Sequence, residues 1–110
     1  MNEEKSIIQA GVVYIDGHLY KWASQRMHGL VRHEIFFGTA NRKKSIQYGL
    51  VVFLKPEDHN MSEYGVHCIC GHNFDRYLKE LGQRSAMKHY GWSEERFRDI
   101  FGKSYIKQVE

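Results

Sequence analysis

The spacing of apolar residues changes along the chain, and each change predicts a different element. Two short runs, Val12–Ile15 and His18–Trp22, flank Asp16-Gly17. Glycine accepts the positive φ of a type I′ turn, so the stretch predicts a β-hairpin. Its alternation is imperfect and leaves the buried face open. Residues 24–29 (SQRMHG) read as a loop, and Leu30–Phe37 as a strand closed by Gly38. Thr39 suits an N-cap, and the following ANRKKSIQY predicts a short helix with Gly49 as its C′ residue. Leu50–Leu54 is continuously apolar and bounded by charge and Pro56, the pattern of a buried strand. KPEDHNMSEYG then breaks regular structure, and residues 2–9, at the other end, read as a polar, frayed start.

In the C-terminal part the period lengthens. Phe74, Tyr77, Leu78, Leu81 and Met87 recur at helical spacing, which predicts a helix capped by Asn73, running to about Tyr90 and ended by Gly91. A second helix starts at Ser93, carries Glu94 and Glu95 in the first turn where the dipole favours carboxylates, and stops at Gly102. The apolar positions of both helices read as core. Exposed aromatics there, Trp92 and Tyr105 in particular, would instead offer a partner surface. The fold class that follows is α+β, a small β core and then helices.

Length and composition narrow this. A chain of 110 residues is expected to form one domain, residues 1–110, with a modest core. The 14% aromatic content argues against disorder. A net charge of +3 allows a nucleic-acid partner without requiring one. No apolar run approaches the roughly 20 residues of a membrane span, and the N-terminus lacks a signal-peptide core, so the expected location is the cytoplasm. Cys68 and Cys70, the only cysteines, are too close to bridge readily, which fits a reducing compartment.

The chemistry-bearing residues gather between Arg32 and His67. His33-Glu34 lies in the first strand of this stretch, His59-Asn60 follows the second, and His67 comes shortly after. Imidazoles, a carboxylate and a carboxamide near cations are the parts of a metal-dependent phosphodiesterase site. Each is also a common surface residue, and on a strand His33 and Glu34 point to opposite faces unless a twist or bulge intervenes. Arg32, Arg42, Lys43 and Lys44 are candidate phosphate contacts, with a solvated charged face as the plain alternative. Cys68-Ile69-Cys70-Gly71-His72 is a second metal candidate, although C-x-C is tighter than ordinary zinc-knuckle spacing and inert thiols are the other reading.

The order strand, His33-Glu34, strand, His59-Asn60, His67 resembles the HNH nuclease module, in which two strands and a helix hold one divalent cation. RHEIFFGTANRKKSIQYGLVV, DHN, GVH, FDRYLKELGQRSAMKHYGW and FRDIFGKSYI together look like small phage and prophage HNH-type proteins, from about Arg32 to Ile106. The resemblance implies an HNH-like ββα core over about residues 30–90, with an N-terminal β-hairpin and two C-terminal helices, the last over about 93–102. It implies metal ligation by His33, His59 and His67, with Mg, Mn or Zn as the ion. Glu34 stands where the general base is expected, and a carboxylate is a weaker base than imidazole. Asn60 would orient Glu34 or the scissile phosphate. Relatives usually carry two Cys-x-x-Cys zinc knuckles. Here the 12–28 region has no cysteine, Lys55 and Asp58 stand where the second pair would fall, and a four-thiolate structural zinc is impossible with two cysteines. The aromatic hairpin residues Tyr14, Tyr20 and Trp22 are the expected replacement.

Two functions from different classes follow. The first is metal-dependent phosphodiester hydrolysis of nucleic acid by a phage- or prophage-encoded protein in the host cell. The alternative is a catalytically degenerate HNH derivative that binds protein or nucleic acid, for example a phage inhibitor of a bacterial defence nuclease. A structural accessory protein of a phage is a third. No membrane partner is expected.

Overall fold

Asp16 and Gly17 both take positive φ, 55° and 79°, as a type I′ turn requires. In the computed structural model, which describes residues 6–106, they join β1 (Gly11–Ile15) to β2 (His18–Trp22). The antiparallel register sets Val13 opposite Tyr20 and Tyr14 opposite Leu19, and this settles the buried face. Tyr20 and Trp22 enter the core, whereas Val12, Tyr14 and Leu19 are 57%, 69% and 48% exposed. Tyr14 is therefore not part of the aromatic unit expected of the hairpin. Tyr20 stacks instead on Phe74, with ring centroids 3.9 Å apart.

β3 (Val31–Glu34) and β4 (Val51–Leu54) form a second antiparallel sheet, and all four residues of β4 are buried. β3 is shorter than the expected Leu30–Phe37. Ser45 intervenes, because its hydroxyl accepts from the Phe36 N–H (3.0 Å) and donates to the Phe36 carbonyl (2.7 Å). The two sheets meet where Ala23 and Phe53 exchange backbone hydrogen bonds. α1 (Arg42–Gln47) starts after Asn41, not Thr39, since a turn on the Gly38 carbonyl takes up the Asn41 and Arg42 N–H groups.

α2 (His72–Tyr90) and α3 (Glu94–Phe101) complete the mixed α+β arrangement of two small antiparallel sheets and helices. α2 begins one residue before its expected cap. A 3₁₀ turn over Ile69–Gly71 leads straight into it, and the Asn73 side chain donates to Asp16 (2.9 Å) instead of capping. Ser93 caps α3 as expected, accepting from the Arg96 N–H at 3.0 Å.

The core lies between the sheets and the helices. Ile35, Phe36, Leu50, Val52 and Leu54 face Phe74, Leu78 and Ala86 of α2 and Phe97 and Phe101 of α3. Trp92 and Tyr105 pack against this core, 4.9 Å from Tyr48 and 5.1 Å from Phe36, so neither forms a free partner surface. Ile8 is buried too, and the Ser6 and Ile7 N–H groups bond to Ser24 and Gly49, so the described part of the N-terminal stretch is anchored. Residues 2–5 of the stretch expected to fray lie outside the described residues. Among the described residues, no helix is long and apolar enough to cross a membrane.

Candidate metal centre

Pro56 precedes a single π-helical turn, Glu57–Met61, and the chain then doubles back on itself. The Val66 N–H donates to the Asp58 carbonyl (2.8 Å) and the His67 N–H to the His59 carbonyl (3.2 Å). The Cys68 N–H donates to Gly65 and the Cys70 N–H to Glu63, each at 2.8 Å. Two glycines permit this closeness. A Cβ on Gly65 would lie 2.7 Å from the His59 carbonyl oxygen, and one on Gly71 would lie 1.9 Å from the Gly65 oxygen. The fold-back brings the His59 and His67 rings to a centroid separation of 4.7 Å.

β3 supplies the third imidazole. His33 is buried and its ring sits 5.3 Å from His59 and 5.0 Å from His67. One ring nitrogen of each histidine lies within 4.8 Å of the others. The three expected ligands do converge.

Their environment suits a cation. Burial pushes the His33 imidazole well below its usual range, and His67, His59 and Lys79 push the same way. His59 is lowered by burial and then by His67, against the opposing field of Glu34. Neutral imidazole is the form that ligates a metal. The Nε2 of His33 is buried and has no hydrogen-bond partner among the described residues. A buried nitrogen left in this state costs free energy unless something accepts its lone pair or proton. On both counts the residues fit a bound divalent ion.

Glu34 and Asn60 line the same cleft as His59 and His67, a space of about 670 Å³ that Arg42 and Lys43 also border. The β3–β4 register sets His33 and Glu34 on opposite faces of the ladder. Glu34 nevertheless lines the cleft, beside Arg42 of α1. Its carboxylate accepts from Arg32 Nε (2.8 Å, at Oε2) and from Arg42 Nε (3.1 Å, at Oε1). Lys44 does not join Lys43 at the cleft. Its ammonium donates to the Ile100 carbonyl at 2.6 Å, near the C-terminal end of α3.

The second metal candidate does not assemble. Cys68 and Cys70 are free thiols, and among the described residues the three histidines are the only group with metal-ligand spacing. Sequence reasoning missed Phe37 and Lys79. The Phe37 ring lies 4.7 Å from that of His67, and the Lys79 ammonium sits 4.3 Å over Phe37 while donating to Asp75 (2.9 Å). No local pattern announces these contacts, since Phe37 reads as strand core and Lys79 as a solvated helix position. Comparison of the chain with protein-family models, with curated proteins and with solved structures gives no match.

Proposed function

We propose that this chain is an HNH-like protein that hydrolyses phosphodiester bonds of nucleic acid with a divalent cation. The observation that carries the reading is the convergence of His33, His59 and His67 beside a carboxylate and exposed cations. The succession of β3, β4 and α2 around the centre supports an HNH-like core. An all-imidazole donor set favours zinc and its transition-metal neighbours over magnesium, which prefers oxygen. Such an ion supplies a Lewis acid that stabilises charge on the leaving oxygen.

The chain's own residues do the rest. Arg42 and Lys43 attract and hold the phosphate backbone. Asn60 orients the phosphate through its carboxamide. Glu34 is the group that takes a proton from the attacking water, and Arg42 controls when it does so. The Arg42 side chain is 65% exposed, so an arriving phosphate competes for its guanidinium and leaves Oε1 of Glu34 open to water.

One observation favours a second reading. Both oxygens of Glu34 are held by guanidinium groups, the arrangement expected of a degenerate site that binds nucleic acid or protein without cleaving it.

A plasmid-nicking assay with Zn²⁺, Mn²⁺ and Mg²⁺ separates the two. The exposed His67 can be replaced without emptying the core. His67→Ala should abolish nicking, and Glu34→Gln should slow it by about 100-fold or more. Equal cleavage by wild type and His67→Ala would assign the activity to a contaminant. Salt-dependent binding without cleavage would support the second reading.

A further inference from the structure

β2 reaches across to the segment that carries His59. The Nε2–H of His18 donates to Oδ1 of Asp58 at 2.9 Å. The Asp58 side chain is 1% exposed, and its other oxygen has no hydrogen-bond partner among the described residues. His18 is therefore the group that satisfies this carboxylate. The His18 ring is itself fixed, stacked on Tyr64 at 4.8 Å with 3° between planes and edge-on to Tyr20 at 4.5 Å. The Tyr20 hydroxyl donates to the Tyr64 carbonyl at 2.8 Å. Two side chains of β2 thus grip the 58–64 segment near both ends.

That segment is the one on which the metal centre depends. Asp58 precedes His59, and the carbonyls of these two residues accept the N–H groups of Val66 and His67. The hairpin has other anchors, including the Tyr20 stack on Phe74, the Trp22 Nε1–H bond to the Gln9 carbonyl and the Ala23–Phe53 bridge. Losing the His18 donor would not release it. The loss would leave a buried carboxylate with no donor, a state that costs free energy. The nearest relief is for the 57–61 turn to swing outward to water, carrying His59 away from His33 and His67.

We propose that His18 is a positioning residue for the histidine centre, acting through Asp58 to keep His59 and His67 where their imidazoles meet that of His33. This rests on reading the centre as a metal site. Outer groups that orient metal ligands typically change affinity by 10–100-fold when removed.

The test measures Zn²⁺ affinity of the full chain by competition with a chromophoric chelator, alongside the visible spectrum of the Co²⁺ form. His18→Phe keeps a ring on Tyr64 and removes the donor. Its Zn²⁺ affinity should fall at least about tenfold and its Co²⁺ bands should shift. His18→Gln, whose amide N–H can still reach Asp58, should stay near wild type. A purely structural role would lower the metal-free melting temperature of His18→Phe and leave the affinity of the folded chain unchanged, which would overturn the proposal. Should His18→Phe fail to fold, Tyr64→Leu removes the ring that orients His18, and undiminished affinity there would overturn it equally. A wild-type chain that binds neither Zn²⁺ nor Co²⁺ would remove the metal reading and this proposal together, a result distinct from wild-type binding that His18 does not influence.

Discussion

The segment from Lys55 to Gly71 and the helices that follow it are neighbours in the sequence but are held together differently. In α2 and α3 each interior N–H bonds one turn back, so a window of a few residues is enough to specify the backbone. In the 55–71 segment the defining bonds run from Val66 and His67 back to Asp58 and His59. The contrast explains where the candidate site lies. On an α-helix, residues 59 and 67 would stand about 12 Å apart, beyond the reach of one cation. Folding the chain back brings those rings together, at the cost of two positions where only glycine fits.

Matched glycine substitutions break this comparison most directly. A methyl group at residue 71 would stand against the Gly65 carbonyl, whereas Gly91, at φ 72°, has nothing within 4 Å of a Cβ. Gly71→Ala should cost on the order of 4 kcal/mol or prevent folding, and Gly91→Ala about 1 kcal/mol from left-handed strain alone. Chemical denaturation of the two variants checks this, and equal losses would mean that the fold-back is looser than described.

Alkaline pH gives the next largest effect. Burial, and then the Asp58 charge, raise the Tyr20 hydroxyl from its ordinary value to about 12. A group whose folded pKa is raised contributes stability that is fully present below the unfolded value, near 10, and lost as pH rises through the folded value. Between pH 10 and about 12 the chain should lose about 2 kcal/mol from Tyr20. Tyr105, on the helical side, is raised by burial and then by Asp75, and adds in the same direction. Tyr20→Phe should flatten the Tyr20 part of the curve and cost about 1 kcal/mol at neutral pH for the lost hydrogen bond to Tyr64. An unchanged alkaline slope in that variant would assign the dependence to other groups.

Chelation should have the smallest effect on stability and the most localised. The core packs through apolar side chains from Ile8 to Phe101, so the fold is expected to stand without a metal. EDTA should then lower the melting temperature by about 4–8 °C, the equivalent of about 1 kcal/mol in a domain of this size. Amide exchange at Val66 and His67 should quicken while α2 keeps its protection. A stoichiometric zinc whose removal unfolds the whole chain would reverse the contrast and make the fold-back the foundation of the helical half.

Much of the architecture was legible in advance, for reasons visible at single residues. Asp16-Gly17 specifies its turn because few residues tolerate positive φ, and Ser93 caps α3 because its hydroxyl reaches an N–H three residues on. The misreadings fell where a rival contact displaced the expected one, from the adjacent residue at Thr39 and from far along the chain at Asn73 and Lys44. Thr39 lost its cap position to the turn on Gly38, and Asn73 gave its amide to Asp16. Lys44 looked like part of a basic face and instead holds the Ile100 carbonyl. Of the candidate site, the residue types and their order were legible, whereas the contacts among them were not.

By itself, then, the sequence determined what depends on neighbours within about a turn: the hairpin, the two C-terminal helices with their buried faces apart from Tyr77, which read as core and is exposed, and the impossibility of a four-cysteine zinc site. Tertiary structure alone decided that His33 meets His59 and His67, that Arg32 and Arg42 hold Glu34, and that His18 satisfies Asp58. The physical reason is range. Helical and strand periods record which face of an element is buried, but no period records which two faces will touch. That is set by how the sheets and helices close over one core, and the candidate site is built almost wholly from such contacts.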